Sequence, residues 1–345
     1  MRSTILERCL VGGNADMNMN NDVSGRKTIP ADGVRREGNG SLARSAPQSI
    51  GVLSVFDRVP RHIAEAEFVR FQDLIYRESG IWLSEAKTAL LVGRLAKRLR
   101  HYGLHSFKDY YRVVVNSPEE RIQMLDAIST NETHFFREPR HFELLATMIF
   151  PQWTREAACG KRQRKIRVWS AGCSTGQEPY SIAMALLDHF PSNKGWEIEI
   201  IGTDLSTRTL EVAQQGIWPV SLAREIPRQY LKKFMLKGVR EEAGRMKAGP
   251  EIRSVVRFVR LNLNDASYPL QGNFDLILCR NVLIYFDLHS RSRVVRHVLE
   301  YLSPKGYFFV GHAESLHSLG GILRTITPTV CAFAPKPGAE HDVEV

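Results

Sequence analysis

Lys165-Ile-Arg-Val-Trp-Ser-Ala-Gly-Cys-Ser-Thr-Gly-Gln-Glu-Pro-Tyr-Ser181 decides how this chain folds. An apolar strand (Ile166, Val168, Trp169) runs into a turn of small residues, Ala171 to Gly176, and Glu178 then opens a helical run that continues through Leu187. Strand, glycine turn and helix make the front end of a nucleotide-cofactor site, because glycine lets backbone approach a ligand where a Cβ would block it. Three residues separate Gly172 from Gly176, so the dinucleotide fingerprint is absent. No Gly-Lys-Ser/Thr follows, which excludes a phosphate-binding P-loop. A carboxylate at position 178 would repel a pyrophosphate and suits a cation.

S-adenosylmethionine (SAM) meets that requirement, since it carries a sulfonium and an ammonium and no phosphate. The next strand, Glu197-Ile-Glu-Ile-Ile-Gly-Thr-Asp204, ends in an acid 28 residues beyond Gly176. An acid there accepts hydrogen bonds from ribose hydroxyls in nucleoside-binding sheets. It can equally cap the following helix. Further on, Asn262-Leu-Asn-Asp265 follows a third strand, as amides set to read an adenine edge or as a plain polar loop.

Outward from this centre, strands and helices alternate. Strands are expected at Ile198–Gly202, Val256–Arg260, Phe274–Cys279 and Tyr307–Gly311, with a closing pair over Leu323–Pro335. Helices are expected near Pro179–Phe190, Ser206–Gln215 and Leu288–Leu302. Such alternation implies an α/β fold, a doubly wound and mostly parallel sheet with helices on both faces. The pattern breaks into a basic, glycine-containing segment over residues 216–255, read as an inserted subdomain. Upstream, Phe68, Phe71, Leu74 and Ile75 recur at helical spacing, Ser84 is placed to cap a helix ending near Gly103, and further helices start near Phe107 and after Pro118. The division is a disordered tail over 1–55, a helical domain over 56–140, an α/β domain over 141–336 and a tail over 337–345.

Net charge is +10, which favours an acidic partner without choosing its class. The five cysteines are scattered with no metal-ligand spacing, so neither a disulfide framework nor a metal site is expected, and a reducing cytoplasm fits. No apolar run reaches the length of a membrane span, and no secretory signal is apparent.

Four blocks together resemble the CheR family of SAM-dependent methyltransferases, which act on glutamates of bacterial chemoreceptors. They are Thr130-Asn-Glu-Thr-His-Phe-Phe-Arg137, Ala171–Ser181, Gly202-Thr-Asp204 and Cys279-Arg-Asn-Val-Leu-Ile-Tyr-Phe286. The resemblance implies a class I, Rossmann-like methyltransferase sheet with an N-terminal all-α domain and an inserted small β-subdomain. It implies cofactor contacts from Asn131, Thr133, Arg137, Gly172, Glu178, Asp204, Asn262, Leu263, Cys279, Arg280 and Asn281. Arg280 and Tyr285 would sit beside the transferred methyl group, Arg137 and Arg280 would orient the substrate or hold the cofactor carboxylate, and the product would be S-adenosylhomocysteine.

A glutamate carboxylate, with an ordinary pKa near ~4.3, is already ionised at neutral pH. Methyl transfer to it needs alignment rather than a general base. Arginine presents a planar fork that matches a carboxylate, so one arginine is expected on the cofactor and one near the substrate. The expected substrate is an acidic receptor coiled coil, met by the basic helix that carries Lys87, Arg94, Lys97, Arg98 and Arg100. Some family members dock a receptor's C-terminal peptide through closely spaced glycines. Here Lys237–Pro250 has glycines at 238, 244 and 249, with Arg240 where the close second one would stand, so no peptide tether is expected. A monomer without nucleic-acid or membrane partners is expected. The competing readings are a methyltransferase of RNA or another protein, and a non-catalytic SAM-binding regulator.

Overall fold

Hydrophobic residues at a spacing of three and four draw residues 65–128 into helices, and the computed structural model shows what they bury. It describes residues 6–8, 60–314 and 323–333. After a short strand, β1 (Leu6–Arg8), come α1 (Glu65–Ser79), α2 (Thr88–His101), α3 (Phe107–Asn116) and α4 (Pro118–Ile128). Phe68 and Phe71 of α1, Leu91, Leu95 and Leu99 of α2, and Phe107 and Tyr110 of α3 share one core. The helix starts are set locally. Ser106 Oγ accepts the Asp109 N–H (3.1 Å), and Ser117 Oγ accepts the Glu120 N–H (3.1 Å) ahead of Pro118. Ser84 stands before a 3₁₀ turn, Glu85–Lys87, which leads into α2.

Helices α5 (Pro139–Leu144) and α6 (Phe150–Ala158), joined by a π turn, lead to the sheet. There follow β2 (Lys165–Ala171), α7 (Gln177–His189), β3 (Glu197–Asp204) and α8 (Thr207–Gln215). The inserted segment holds β4 (Ile217–Pro219), α9 (Arg228–Phe234), β5 (Met235–Gly238) and β6 (Arg245–Ala248). Then come α10 (Pro250–Arg253), β7 (Val256–Arg260), β8 (Phe274–Cys279), α11 (Leu288–Leu299), β9 (Leu302–Val310), β10 (Leu323–Thr327) and β11 (Val330–Phe333).

The large sheet runs β10-β11-β9-β8-β2-β3-β7. Strands β7, β3, β2, β8 and β9 are parallel, while β11 and β10 close the edge antiparallel. Period-two alternation sorts the side chains between two cores. Val168, Ile200 and Leu276 face α7, whereas Trp169, Ile201 and Ile277 face α11. Strand order reverses beside β2, and an open parallel sheet binds ligands at that switch point. Helix α7 is buried from Gln177 through Leu186, so packing on every side fixes where its N-terminus points.

The inserted segment is a small antiparallel sheet, β1-β5-β6-β4. Its edge strand corrects the sequence reading: Leu6–Arg8, assigned to a disordered tail, pair antiparallel with β5 from Leu6↔Gly238 to Arg8↔Leu236. The remainder of the expected 1–55 tail, and the 337–345 tail, lie outside the described residues.

Candidate active site

The turn after β2 fills the switch point. Gly172 and Cys173 donate their N–H groups to Thr203 O at the end of β3 (2.7 and 2.9 Å), which folds the turn across both strand ends. Gly172 has φ +79°, and a Cβ there would lie 2.3 Å from Val282 Cγ2. Only glycine accommodates both the left-handed backbone and that approach. Gly176, at φ +92°, begins α7 and places Glu178 in its first turn.

Glu178 meets an arginine from the neighbouring strand end. Its Oε2 accepts from Arg280 Nε (2.7 Å), and its Oε1 from Ser170 Oγ (2.6 Å). Arg280, 5% exposed, donates further through Nη1 to Arg137 O (2.7 Å) and contacts His141 Nδ1 (3.1 Å). Burial, with the Arg280 charge adding to it, pushes the His141 pKa down to about 4. His141 is therefore a neutral imidazole at neutral pH, held at Nε2 by Thr329 Oγ1 (2.7 Å). The Arg280 charge is thus neutralised by Glu178 inside the protein.

Asp204 sits at the end of β3, 8% exposed. Its oxygens accept from Ser174 N (2.8 Å) and Ser206 N (2.9 Å), so it stabilises the turn and the start of α8 together. Burial pushes its pKa up, against these hydrogen bonds. A carboxylate offers about four lone-pair sites, so capacity for a hydroxyl donor remains. Asn262 has its amide engaged: Nδ2 donates to Glu78 O (2.6 Å) and Oδ1 accepts from Asn264 N (3.0 Å). It ties the third strand end to α1 and meets the cavity as part of its wall.

These groups enclose a cavity of about 380 Å³ between the sheet's switch point and the helical segment. Small-molecule sites run from roughly 300 to 1,000 Å³. Asn131, Thr133, Arg137, Gly172, Glu178, Asp204, Asn262, Leu263, Arg280, Asn281 and Tyr285 all line it. Cys279 does not: it is fully buried beside Ile277 in the core under α11. Strand alternation sends Arg280 to the cavity and Cys279 away from it, which corrects its assignment to the cofactor pocket. Among the described residues neither histidine nor cysteine is in the cavity wall. Asn281 Oδ1 is buried without a hydrogen-bond partner, an acceptor left open in a polar wall. The donor set fits SAM: acids and an open acceptor for its ammonium and ribose hydroxyls, apolar Leu261 and Leu263 for a base, and a glycine cradle that any Cβ would fill.

The basic face of α2 is smaller than its sequence implies. Arg98 forms an ion pair with Glu120, whose side chain is 1% exposed. Tyr102 and Tyr110 hydroxyls donate to the same carboxylate (2.9 and 2.6 Å). Arg94 donates to Ile128 O, Ser129 O and Thr130 Oγ1, satisfying the C-terminus of α4. Both are therefore internal braces. Lys97 and Arg100 remain exposed, and Lys87 lines the cavity mouth with Leu90.

Sequence reasoning gave no role to Ser170, Leu90 or His141. Ser170 alternates correctly along β2 to reach Glu178, a signal available in the strand's parity. The role of His141 depends on Arg280, 139 residues away, and nothing local announces it.

Residues 131–331 match the family model described as CheR methyltransferase, SAM binding domain, and residues 66–129 match CheR methyltransferase, all-alpha domain. The chain is 36% identical over 276 residues to chemotaxis protein methyltransferase 2 of Pseudomonas aeruginosa, an alignment spanning 80% of this chain and 96% of that protein. It is 36% identical over 258 residues to the chemotaxis protein methyltransferase of Borreliella burgdorferi (74% of this chain, 90% of that protein). Its identity to the Escherichia coli chemotaxis protein methyltransferase is 35% over 260 residues (74% and 87%).

Proposed function

This chain belongs to the CheR methyltransferase family, a SAM-dependent enzyme of chemotaxis, and from that premise we propose that it methylates glutamate side chains on the acidic cytoplasmic helices of chemoreceptors. The observation that carries the reading is the difference between the two arginines in the cavity wall. Arg280 is neutralised by Glu178, whereas Arg137 forms no ion pair among the described residues, and its side chain donates only to Glu132 O (3.2 Å). An uncommitted guanidinium facing the cavity is a fork for a carboxylate.

The bound cofactor supplies a methyl carbon activated by a sulfonium. Glu178 and Asp204 would hold its ammonium and ribose hydroxyls, with Arg280 fixing the Glu178 carboxylate. Arg137 and Lys87 orient an incoming carboxylate, and Tyr285 closes the wall beside it. Among the described residues no histidine or cysteine lines the cavity, and its two buried acids, Glu178 and Asp204, are engaged in hydrogen bonds, while Glu132 is exposed. With its buried acids engaged, the wall suits an acceptor that arrives already ionised, which favours a carboxylate over a hydroxyl or an amine. The substrate's negative charge is lost in the transition state, so holding it too tightly would slow transfer. The half-buried position of Arg137 avoids that cost.

Lys97 and Arg100 on the exposed side of α2, with Lys87 at the cavity mouth, are the groups that would meet an acidic helix. Docking of a receptor's C-terminal tail is not part of the reading. Arg240 already adopts a left-handed backbone (φ +54°) in the β5–β6 loop, and β1 pairs with the β5 edge that an extended peptide would join. We propose a cytoplasmic monomer, because the proposed substrate lies on the receptors' cytoplasmic helices. No helix among the described residues is long and apolar enough to cross a membrane.

The test is transfer of tritiated methyl from SAM to receptor signalling domains, with and without their C-terminal peptides. Label that becomes volatile in alkali is a methyl ester and supports the reading. Label that stays fixed in alkali, or no transfer at all, overturns it.

A further inference from the structure

Glu314 lies just past β9, 2% exposed and outside the cavity wall, yet its carboxylate is aimed at the backbone of a cavity loop. Its Oε2 accepts N–H groups from Asn281 (2.8 Å) and Gly311 (2.6 Å). Its Oε1 accepts from Leu283 (2.6 Å) and Ile284 (3.3 Å). Three of these four donors belong to the segment that follows β8 and supplies Asn281, Val282, Ile284 and Tyr285 to the cavity.

That segment has little regular structure to hold it. Asn281 takes φ +59°, a left-handed conformation that costs a non-glycine residue. Leu283–Tyr285 form a single 3₁₀ turn whose leading N–H groups have no partner within the turn. The carboxylate satisfies those donors from another element, a capping function performed across the fold. On its far side the loop is tied to the helical segment, through Trp82 N–H to Tyr285 O (2.9 Å) and the Ile81↔Phe286 bridge.

We propose that Glu314 is a positioning residue for methyl transfer: it fixes the Asn281–Tyr285 loop so that Tyr285 and Ile284 present the substrate side of the cavity. The inference rests on the reading of this cavity as the methyl-transfer site. Glu178, Asp204 and the Gly172 turn come from β2, β3 and α7, which Glu314 does not touch. Asn281 and Val282 of the loop also face the cofactor side, so cofactor affinity should fall too, but by less than turnover and receptor binding. A loop displaced by about 1 Å costs on the order of a hundredfold in rate.

The experiment compares wild type, E314Q, E314D, Y285F and E314Q/Y285F, measuring kcat and KM for a receptor signalling domain, calorimetric affinity for S-adenosylhomocysteine, and Tm. In E314Q the side chain keeps its size, but an NH₂ now faces N–H donors. We expect kcat to fall at least tenfold, cofactor affinity to stay within about threefold, and E314D to recover part of the rate. E314Q/Y285F should lose no more than the worse single variant, because both changes act on one loop. Wild-type kcat in E314Q overturns the proposal, as does a fall in cofactor affinity matching the fall in kcat. Fully additive losses overturn the route through Tyr285. Should E314Q not fold, E314D decides by the same ratio of kcat to cofactor affinity. A wild-type chain that transfers no methyl refutes the assigned activity instead, so the two failures are separable.

Discussion

Glu178 and Arg280 stand 102 residues apart in sequence and form an ion pair at 2.7 Å in the cavity wall, with side chains 10% and 1% exposed. Removing one partner from a buried pair leaves an uncompensated charge and typically costs about 3–5 kcal/mol. Glu178→Gln should therefore lower Tm by several degrees and weaken S-adenosylhomocysteine binding together. Glu178→Gln with Arg280→Gln should regain part of the stability without regaining cofactor affinity. Scanning calorimetry and titration calorimetry on the two variants check this. A stable single variant with wild-type affinity would show that the pair is incidental to the site.

Arg137 should behave in the opposite way. Among the described residues its side chain makes one hydrogen bond, to Glu132 O, while the bond from Arg280 is accepted by its main-chain carbonyl and survives substitution. Arg137→Ala is expected to reduce kcat/KM about a hundredfold, roughly 2.7 kcal/mol of transition-state stabilisation, while Tm moves by no more than about 2 °C. Arg137→Lys should restore only part, since an ammonium lacks the planar fork. The prediction fails if activity and Tm fall together.

Gly172 gives a steric prediction. An alanine Cβ would meet Val282 Cγ2 at 2.3 Å with the backbone at φ +79°. Gly172→Ala should weaken S-adenosylhomocysteine binding at least tenfold, as either the turn or the Val282 loop gives way. Adding Val282→Ala removes the clash and leaves the backbone cost of about 1–2 kcal/mol. Affinity should then recover in part. Complete recovery would mean the left-handed conformation is not required.

How far the sequence reached can be seen residue by residue. The sheet was legible because β2, β3 and β8 are buried on both faces and read as apolar runs, and the start of α4 because Pro118 marks it locally. Cys279 was misplaced although strand parity with Ile277 would have corrected it. Arg94 and Arg98 were misplaced for a reason no local pattern reveals. They sit beside the Leu91–Leu95–Leu99 stripe, where a long side chain can reach either solvent or a neighbour, and the neighbour's acid is 22 residues further along at Glu120. Glu314 lies in a segment without period, so its four donors become visible only when β8 and β9 are placed side by side.

The Arg98–Glu120 pair and the exposed pair Lys97 and Arg100 lie on one helix and should separate cleanly in experiment. Burial works to raise the Glu120 pKa, but hydrogen bonds from Arg98, Tyr110 and Tyr102 outweigh it and hold the pKa below its ordinary 4.5. A depressed folded-state pKa contributes stability that is complete above the unfolded value and is lost as pH falls through the folded value. Helix α2 through α4 in wild type should thus show greater protection from hydrogen exchange than in Glu120→Gln at pH 6. That gap should close as pH falls below 4.5. Arg98→Met should cost about 3 kcal/mol, because Glu120 is then buried without its cation. Lys97→Glu and Arg100→Glu should leave exchange and Tm unchanged yet raise KM for an acidic receptor domain several-fold, more so at low ionic strength, where exposed charges are least screened. If the charge reversals unfold α2, or if Arg98→Met changes only KM, the division of this helix into an inner brace and an outer docking face is wrong.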